Sequence, residues 1–271
     1  MDQITAAARS ISVQNLSQRI SVPRTGDELQ RMSETWNEVL ERLESSVKRI
    51  RQFTADASHE LRTPIALIRA TAELALRRER APEEYRNSLR SIESEAEQMT
   101  ALTESLLVMA RADSNAFQMT LAPTDLDAIV SHVIGQHQAL ADEKGIQLKT
   151  ESSGLPALAH ADGPAIHRLL LILLDNALKH TPSGGTVTVA AHKSDGSVLL
   201  SVADTGEGIA PDALPHVFER FYRSDPARAG GSGFGLGLSI AQAIAQAHGT
   251  RIRVESSLGA GALFTVSLKV A

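Results

Sequence analysis

Apolar residues in the first third of the chain recur at the spacing of packed helices. The first run steps by three and four residues, as the seam of a coiled coil does. Its members are Leu29, Met32, Trp36, Val39 and Leu43. A second run continues through Val47, Ile50, Thr54, Ala57 and Leu61. The two runs join through consecutive steps of four, a phase shift that locally unwinds a coiled coil, so we expect a junction between two helical modules near residues 43–47.

Two long helices joined by a short turn are predicted from this pattern. The first helix is expected to continue to about Arg78 and to bend at Pro64, whose nitrogen has no hydrogen to donate. Pro82 and the acidic pair behind it are typical of the first turn of a second helix. This second helix has its own apolar series: Leu89, Ile92, Ala96, Met99, Thr103, Leu106 and Ala110.

The single apolar stripe of such a helical hairpin has to be covered by another surface. Two copies of the hairpin would form a four-helix bundle, so we predict a homodimer. Packing of the hairpin against the second domain of its own chain is the alternative.

After about residue 117 the pattern changes to helices that alternate with short strands. Asp125 is predicted to cap a helix that ends near Lys144, and residues 163–180 are expected to form a strongly apolar helix. A β-hairpin is expected across residues 186–204, followed by a long mobile loop over 205–235. The other predicted elements are a strand at 146–151, a helix at 235–248 and strands at 251–256 and 262–269. Helices combined with a largely antiparallel sheet predict an α+β sandwich.

The composition describes a globular chain and removes several classes of function. Of the 271 residues, 42% are hydrophobic and 22% are charged, and the formal net charge is −5. This charge argues against a nucleic-acid binder with a large basic surface. The absence of cysteine excludes disulfides, thiolate metal sites and cysteine nucleophiles. No apolar run approaches the ~18 residues of a membrane span, and residues 1–25 do not have the pattern of a secretory signal.

A histidine beside a carboxylate stands in the middle of the first long helix. The segment reads Ser58-His59-Glu60-Leu61-Arg62-Thr63-Pro64. A zinc-protease helix would need a second histidine at the position of Thr63, so that interpretation fails. A carboxylate that accepts a hydrogen bond from one ring nitrogen leaves the other unprotonated and more nucleophilic. His59, Glu60 and Thr63 are therefore candidate catalytic residues, and an ordinary solvated histidine is the alternative.

A second group of candidate residues lies in the C-terminal half. Near the end of the apolar helix, the Asn176 amide oxygen would suit Mg²⁺ and Lys179 would neutralise phosphate. Asp204 follows a strand and would accept a hydrogen bond from an exocyclic amine. Segments 204–209 and 233–238 are rich in glycine, which lets backbone amides approach a ligand closely. Neither common nucleotide-binding glycine motif is present, and glycines that only shape a turn and a linker are the alternative.

In the order and spacing of five motifs, the sequence resembles the bacterial sensor histidine kinases over nearly its whole length. The motifs are the phosphoacceptor motif Phe53–Pro64, the asparagine motif Asp175–Pro182, the glycine motifs Asp204–Ile209 and Gly233–Leu238, and the phenylalanine motif Val217–Arg223. The resemblance implies a helical hairpin, a four-helix bundle as a dimer, followed by an α+β sandwich of the Bergerat type. It divides the chain into a partial HAMP signalling module (1–45), a dimerisation and phosphotransfer hairpin (46–114) and an ATP-binding domain (115–271).

The resemblance also implies the catalytic roles. His59 would accept the γ-phosphoryl group of ATP, with Glu60 as its hydrogen-bond partner and base. Thr63 would position water when the same protein removes phosphate from its partner.

The nucleotide pocket is implied in the same way. Asn176 would hold Mg²⁺, Asp204 would bind the adenine amine, and Lys179 with Arg220 or Arg223 would meet the phosphates. The other pocket and lid residues would be His180, Gly206, Gly208, Gly233, Gly235, Gly237 and Leu238. Three positions depart from the family's usual pattern. Gln30 stands where glycine is common in HAMP modules, Ile172 where many members have a further asparagine, and His180 where tyrosine is frequent.

The implied cofactors are ATP and Mg²⁺, and the implied partners are a second copy of the chain and the receiver domain of a response regulator. A sensor domain and a membrane anchor would lie upstream, so that these residues form the cytoplasmic part of an inner-membrane protein; no nucleic acid is expected as a partner. The competing interpretations are an ATPase of the gyrase or heat-shock type, a serine kinase of the anti-sigma type, and a scaffold without catalytic activity.

Overall fold

The computed structural model describes residues 15–22, 26–113, 119–152, 157–194, 196–223 and 234–271. The chain divides at residue 88 into two compact units, each described here by itself. Within the described ranges no helix is both long and apolar enough to cross a membrane.

The first unit is built around one long helix, α1 (Glu28–Leu76). Asp27 begins this helix, because its carboxylate accepts hydrogen bonds from the backbone N–H groups of Leu29 at 3.1 Å and Gln30 at 3.2 Å. The Gln30 side chain in turn accepts from the Gly26 N–H at 3.0 Å. Glutamine at this position therefore has a local structural role at the helix start. The helix runs without interruption through its internal proline and ends slightly before the expected residue.

The apolar stripe of α1 is open to solvent in a single chain. Met32, Trp36, Val39 and Leu43 each expose about half of their surface, whereas Leu40 is buried. Exposed apolar side chains in a continuous stripe are typical of an interaction surface. The members of the predicted seam are thus available to a partner.

A short segment, residues 15–22, is tied to α1. The Asn37 side chain accepts a hydrogen bond from the Ile20 N–H at 2.9 Å and donates one to the Ile20 carbonyl at 2.9 Å. The Asn37 amide therefore satisfies both the N–H and the carbonyl of Ile20, which is not part of a sheet. Leu16, Ile20 and Leu40 are buried.

The second long helix, α2 (Pro82–Asp113), begins with proline at its first position and two glutamates in its first turn. Proline suits this position because its missing N–H would have no partner within the helix. Glu84 accepts from the Ala81 N–H at 3.1 Å, which satisfies a donor just before the helix. The predicted pair of long helices with a short connection is confirmed.

The C-terminal domain combines helices with short strands. Its helices are α3 (Leu126–Glu143), α4 (Gly163–His180) and α5 (Gly237–Ala247), with a 3₁₀ turn at Leu214–His216. Its strands are β1 (Ala122–Asp125), β2 (Gln147–Ser152), β3 (Leu158–Ala161), β4 (Thr186–Ser194), β5 (Ser197–Asp204), β6 (Ile252–Ser256) and β7 (Ala262–Lys269).

The main sheet has five strands in the order β2-β4-β5-β7-β6. Strand β2 is parallel to β4, and the other neighbours are antiparallel. Strands β1 and β3 form a separate antiparallel pair that the sequence pattern does not predict. The expected α+β architecture is confirmed, with a 3₁₀ turn inside the stretch expected to be a loop. Residues 224–233 of that stretch lie outside the described residues.

The apolar face of α4 anchors this domain. Its fully buried residues recur at helical spacing: Ile166, Leu169, Leu170, Leu173 and Leu174. The helix packs against β4, β5 and α5. Because burial of each such side chain contributes roughly 1.5–3 kcal/mol, the sheet fixes the position of the helix and of its C-terminal end.

The turn between β6 and β7 provides a test of how closely this domain is packed. Gly261 has φ +80°, and a Cβ atom there would overlap the carbonyl oxygen of Asp204. We expect Gly261→Ala to destabilise the domain by about 1–3 kcal/mol, since two backbone segments must separate. Gly135→Ala in α3 is the matched control, because a Cβ there meets nothing within 4 Å and alanine favours helix. Calorimetric unfolding measures both, and equal transition temperatures for the two variants would contradict the packing described here.

Candidate nucleotide and phosphoacceptor sites

A buried carboxylate ends strand β5. Asp204 is 8% exposed, and its Oδ1 accepts hydrogen bonds from the N–H groups of Gly206 at 2.8 Å and Ala262 at 3.3 Å. Among the described residues, no hydrogen bond reaches Oδ2. Burial raises the pKa of Asp204, and the two backbone N–H groups oppose this change. One carboxylate oxygen is thus held by the fold while the other is left for a ligand.

The glycines around Asp204 are required by close backbone packing. A Cβ atom on Gly206 would overlap the carbonyl of His180, which ends α4. Gly208 has φ +70°, and a Cβ there would overlap the carbonyl of Ser257. The turn 204–209 is therefore pressed against α4 on one side and against the β6–β7 turn on the other. These contacts explain why this segment needs glycine without invoking a ligand.

The C-terminal end of α4 places an amide and several cations together. Asn176 is half-buried, and its side chain makes no hydrogen bond to other described residues. Burial lowers the pKa of Lys179, and the positive charges of Arg223 and Lys144 lower it further. Lys144 itself donates to the Leu178 carbonyl at 3.2 Å. The positive charges of Arg223 and Lys144 close to Lys179 would favour binding of a polyanion at this end of α4.

His180 connects α4 to the turn after β5. Its Nδ1 lies 3.0 Å from Oε1 of Glu207, and its carbonyl accepts from the Glu207 N–H at 3.3 Å. The pairing holds the asparagine motif against the first glycine motif. Contact between His180 and a nucleotide stays a prediction.

The second glycine motif packs against the phenylalanine motif. The Phe221 N–H donates to the Gly235 carbonyl at 2.9 Å, and Phe221 has φ +60°, in the left-handed region. Gly235 has φ +68°, and a Cβ there would lie 2.7 Å from the carbonyl carbon of Phe221. Arg220 and Arg223 flank this contact and are half-buried. The predicted pocket residue Gly233 lies outside the described residues.

Helix α5 begins close to α4. Gly237 is its first residue, and a Cβ there would meet Cγ2 of Ile172 at 3.3 Å. Ile172 therefore packs against the start of α5, which is a structural reason for an apolar residue at this position. Leu238 follows on α5 and is half-buried.

The candidate phosphoacceptor lies in the first unit, on α1. His59 and Thr63 are both exposed and share a helix face, since they lie four residues apart. Glu60 is half-buried, and no hydrogen bond joins it to His59 among the described residues. Consecutive helical residues do not face each other, which explains this. The role of Glu60 as a partner of His59 thus stays a prediction.

Sequence reasoning missed three polar residues around α4. Lys144 and His137 come from α3, and Nε2 of His137 lies 3.2 Å from Oδ1 of Asp175. Glu207 is the partner of His180. Lys144 and His137 are ordinary polar residues on a surface helix, so only the packing of α3 on α4 identifies them. Glu207 lies inside the first glycine motif. Its negative charge could have suggested a pairing with His180 at the end of the helix.

Two family models match the chain in succession. Residues 49–115 match the His Kinase A (phospho-acceptor) domain. Residues 161–271 match the histidine kinase-, DNA gyrase B-, and HSP90-like ATPase. His59 thus falls in the first model, and Asn176 and Asp204 fall in the second.

Curated proteins and solved structures are similar to this chain over most of its length. The sensor protein CopS of Pseudomonas syringae pv. tomato is 37% identical over 229 residues, which are 84% of this chain and 46% of CopS. The chain spans about half the length of such relatives. ShkA, solved in complex with AMPPNP, is 32% identical with a TM-score of 0.62, over 82% of this chain and 46% of ShkA. ThkA, solved in complex with the response regulator TrrA, has a TM-score of 0.67 at 19% identity over 90% of this chain and 68% of that one, which shows a shared fold.

The two domain models follow each other along the chain, CopS is a sensor protein, and the structure shares its fold with ThkA. The chain therefore belongs to the family of two-component sensor histidine kinases.

Proposed function

We propose that this chain transfers the γ-phosphoryl group of ATP to His59 and then to an aspartate on the receiver domain of a response regulator. The observation that carries the proposal is the buried Asp204 carboxylate. Its free oxygen belongs to the same domain as the cation group at the end of α4. The carboxylate oxygen would accept a hydrogen bond from the adenine amine of ATP, and the cations would bind its phosphates.

The nucleotide half of the proposal follows from these contacts. Oδ2 of Asp204 accepts a hydrogen bond from the exocyclic amine of adenine. Lys179 and Arg223 neutralise the phosphates, and Arg220 supports them. ShkA binds the ATP analogue AMPPNP, and its likeness to this chain supports nucleotide binding here.

The donor set fits Mg²⁺. The unpaired Asn176 amide supplies one hard oxygen, and Mg²⁺ commonly binds one or two protein groups while keeping waters and substrate phosphates. With Ile172 packed against α5, Asn176 is the residue of α4 that would hold the ion. When bound, Mg²⁺ neutralises charge on the phosphates during transfer.

The acceptor half follows from the exposure of His59. A ring nitrogen of His59 forms a bond to the γ-phosphorus, the bond from that phosphorus to the β–γ bridging oxygen breaks, and ADP leaves with that oxygen. The other ring nitrogen gives its proton to Glu60 or to water. The phosphoryl group then passes to an aspartate carboxylate and His59 becomes free again. In the reverse, phosphatase role, Thr63 positions water.

The partners are supported by separate observations. Exposed apolar side chains of α1 within residues 46–114, among them Ile50 and Ile65, support a homodimer through a second copy of the hairpin. The solved complex of ThkA with a response regulator supports a receiver domain as the second partner. We assign 46–114 to dimerisation and phosphotransfer, 115–271 to ATP binding and 1–45 to a partial HAMP module. The greater length of CopS supports a sensor and a membrane anchor outside these 271 residues.

Substitution of the acceptor tests the proposal first. We expect the chain to incorporate label from γ-labelled ATP with Mg²⁺, in a form that acid removes and alkali does not. His59→Gln abolishes this label because amides do not accept phosphoryl groups, while nucleotide affinity stays unchanged. His160→Gln, an exposed histidine on β3, is the matched control and keeps the label. Persistent label in His59→Gln would refute the assignment of the acceptor.

Recognition of adenine by Asp204 predicts both an affinity loss and a pH dependence. Asp204→Asn is expected to weaken ATP binding by about 10–100-fold, since a charged hydrogen bond is lost. Protonation of Asp204 removes the same acceptor, so affinity falls as the pH falls. Because burial raises its pKa, this loss begins at a higher pH than for an exposed carboxyl. Titration calorimetry across pH measures this, with the exposed Asp212→Asn as control; identical pH profiles for wild type and Asp204→Asn would contradict the role.

The homodimer predicts a defined mass in solution. Sedimentation should give twice the chain mass of 29.0 kDa. Ile50→Glu places a charge among the exposed apolar side chains of the hairpin and should weaken the dimer by about 10-fold or more, since an unpaired charge would be buried. Leu258→Glu is the control, because Leu258 is exposed in the C-terminal domain. A monomeric wild type, or equal effects of both substitutions, would contradict the assigned interface.

A further inference from the structure

Two histidines face each other across the contact between α3 and α4. The ring centres of His132 on α3 and His167 on α4 lie 5.5 Å apart, with the ring planes inclined at 42°. Nε2 of His167 is buried and has no hydrogen-bond partner among the described residues. Neither ring belongs to the motifs that the proposed kinase function uses.

The unpartnered nitrogen is suited to hold a cation. A neutral imidazole that carries its proton on Nδ1 presents a lone pair at Nε2, and that lone pair binds a proton or a metal ion. A buried ring nitrogen without a partner is unusual, because buried polar atoms nearly always find one. His132 is exposed and Nε2 of His167 is buried, so an ion would approach the pair from the His132 side.

The separation of the rings fits one shared metal ion. Zinc lies about 2.0–2.1 Å from an imidazole nitrogen, which puts it about 3.2 Å from the ring centre. Two rings on one tetrahedral ion therefore have their centres about 5.2 Å apart. The observed separation of the ring centres, 5.5 Å, is close to this value, and a small rotation of the side chains would remove the difference.

The geometry points to a bis-histidine site that binds one divalent transition-metal ion, and we propose His132 and His167 as its two protein ligands. Imidazole nitrogens favour Zn²⁺, Ni²⁺ and Cu²⁺ over Mg²⁺. The described residues contain no group of three or more histidine, cysteine, aspartate or glutamate side chains that would hold a metal, so water completes the coordination. The site is thus open, and it is chemically distinct from the proposed Mg²⁺ position at Asn176.

A bound ion would connect α3 and α4, and α4 carries Asn176 and Lys179 near its C-terminal end. His137 pairs with Asp175 further along the same α3–α4 contact. A metal bridge at His132 and His167 would therefore add to an existing polar contact between these helices. Because the folded state alone brings the two rings together, the ion stabilises that state.

Zinc titration of the full chain in a non-chelating buffer tests the proposal. We expect one Zn²⁺ per chain and a rise in the unfolding temperature of the C-terminal domain. His132→Gln and His167→Gln should each weaken binding by about tenfold or more and remove the rise. His192→Gln, on β4, is the matched control and should retain both effects.

The outcome does not depend on kinase activity. His132 is exposed, so His132→Gln should unfold like wild type in the absence of metal, and this separates loss of a ligand from misfolding. Zinc binding that is absent from wild type, or equal in wild type and both variants, would overturn the assignment.

Discussion

The architecture of the nucleotide half depends on one tight backbone arrangement at the end of β5. Asp204 binds the Gly206 and Ala262 N–H groups with a single oxygen, and Gly206 and Gly261 leave no room for a Cβ atom. In this arrangement Oδ1 is occupied by two backbone N–H groups, and Oδ2 makes no hydrogen bond to the described residues. The same arrangement also brings the end of α4, the turn after β5 and the β6–β7 turn together. A small shift of any of these segments would move the carboxylate that we propose recognises adenine.

Burial and charge act together around that point. The apolar face of α4 is fully buried, which fixes the position of the helix, and Lys179 lies exposed at its C-terminal end. Lys179, Arg223 and Lys144 stay close enough to lower the pKa of Lys179. Such repulsion has a cost in the free protein and is offset when phosphate binds. The positive charges of the domain are therefore close together where the phosphates of the proposed ligand would bind.

The acceptor half has a different physical character. His59 lies on an exposed face of a long helix, so its proposed reaction requires that bound ATP can reach this face. The apolar stripe on the same helix lies open in one chain, so the functional unit of this half is proposed to require a second copy.

Much of this could be predicted from periodicity, because α1, α2, α3 and α4 have long and regular apolar patterns. Strands β1 and β3 were missed since four residues are too few to show alternation. The motifs identified Asp204 and its glycines, but the reason for Gly206, a collision with the carbonyl of His180, appears only in three dimensions. The same is true of Ile172, whose contact with the start of α5 no local pattern encodes.

Relations between side chains were the least predictable. The expected hydrogen bond between Glu60 and His59 is absent among the described residues, and the role of Glu60 as a base stays a prediction. The sequence did not indicate that His137 and Lys144 would reach α4, because each contact joins residues more than 30 positions apart. Such pairs depend on how two helices pack.

The central claim is that an exposed imidazole on a helix receives phosphate from ATP held by the other half of the chain. Mass spectrometry with fragmentation that preserves phosphohistidine, applied to the wild-type chain after incubation with Mg-ATP, tests this most directly. The account predicts a phosphoryl group on the His59 ring. Phosphate on Ser58 or Thr63, or an unmodified chain that nevertheless binds ATP, would contradict it.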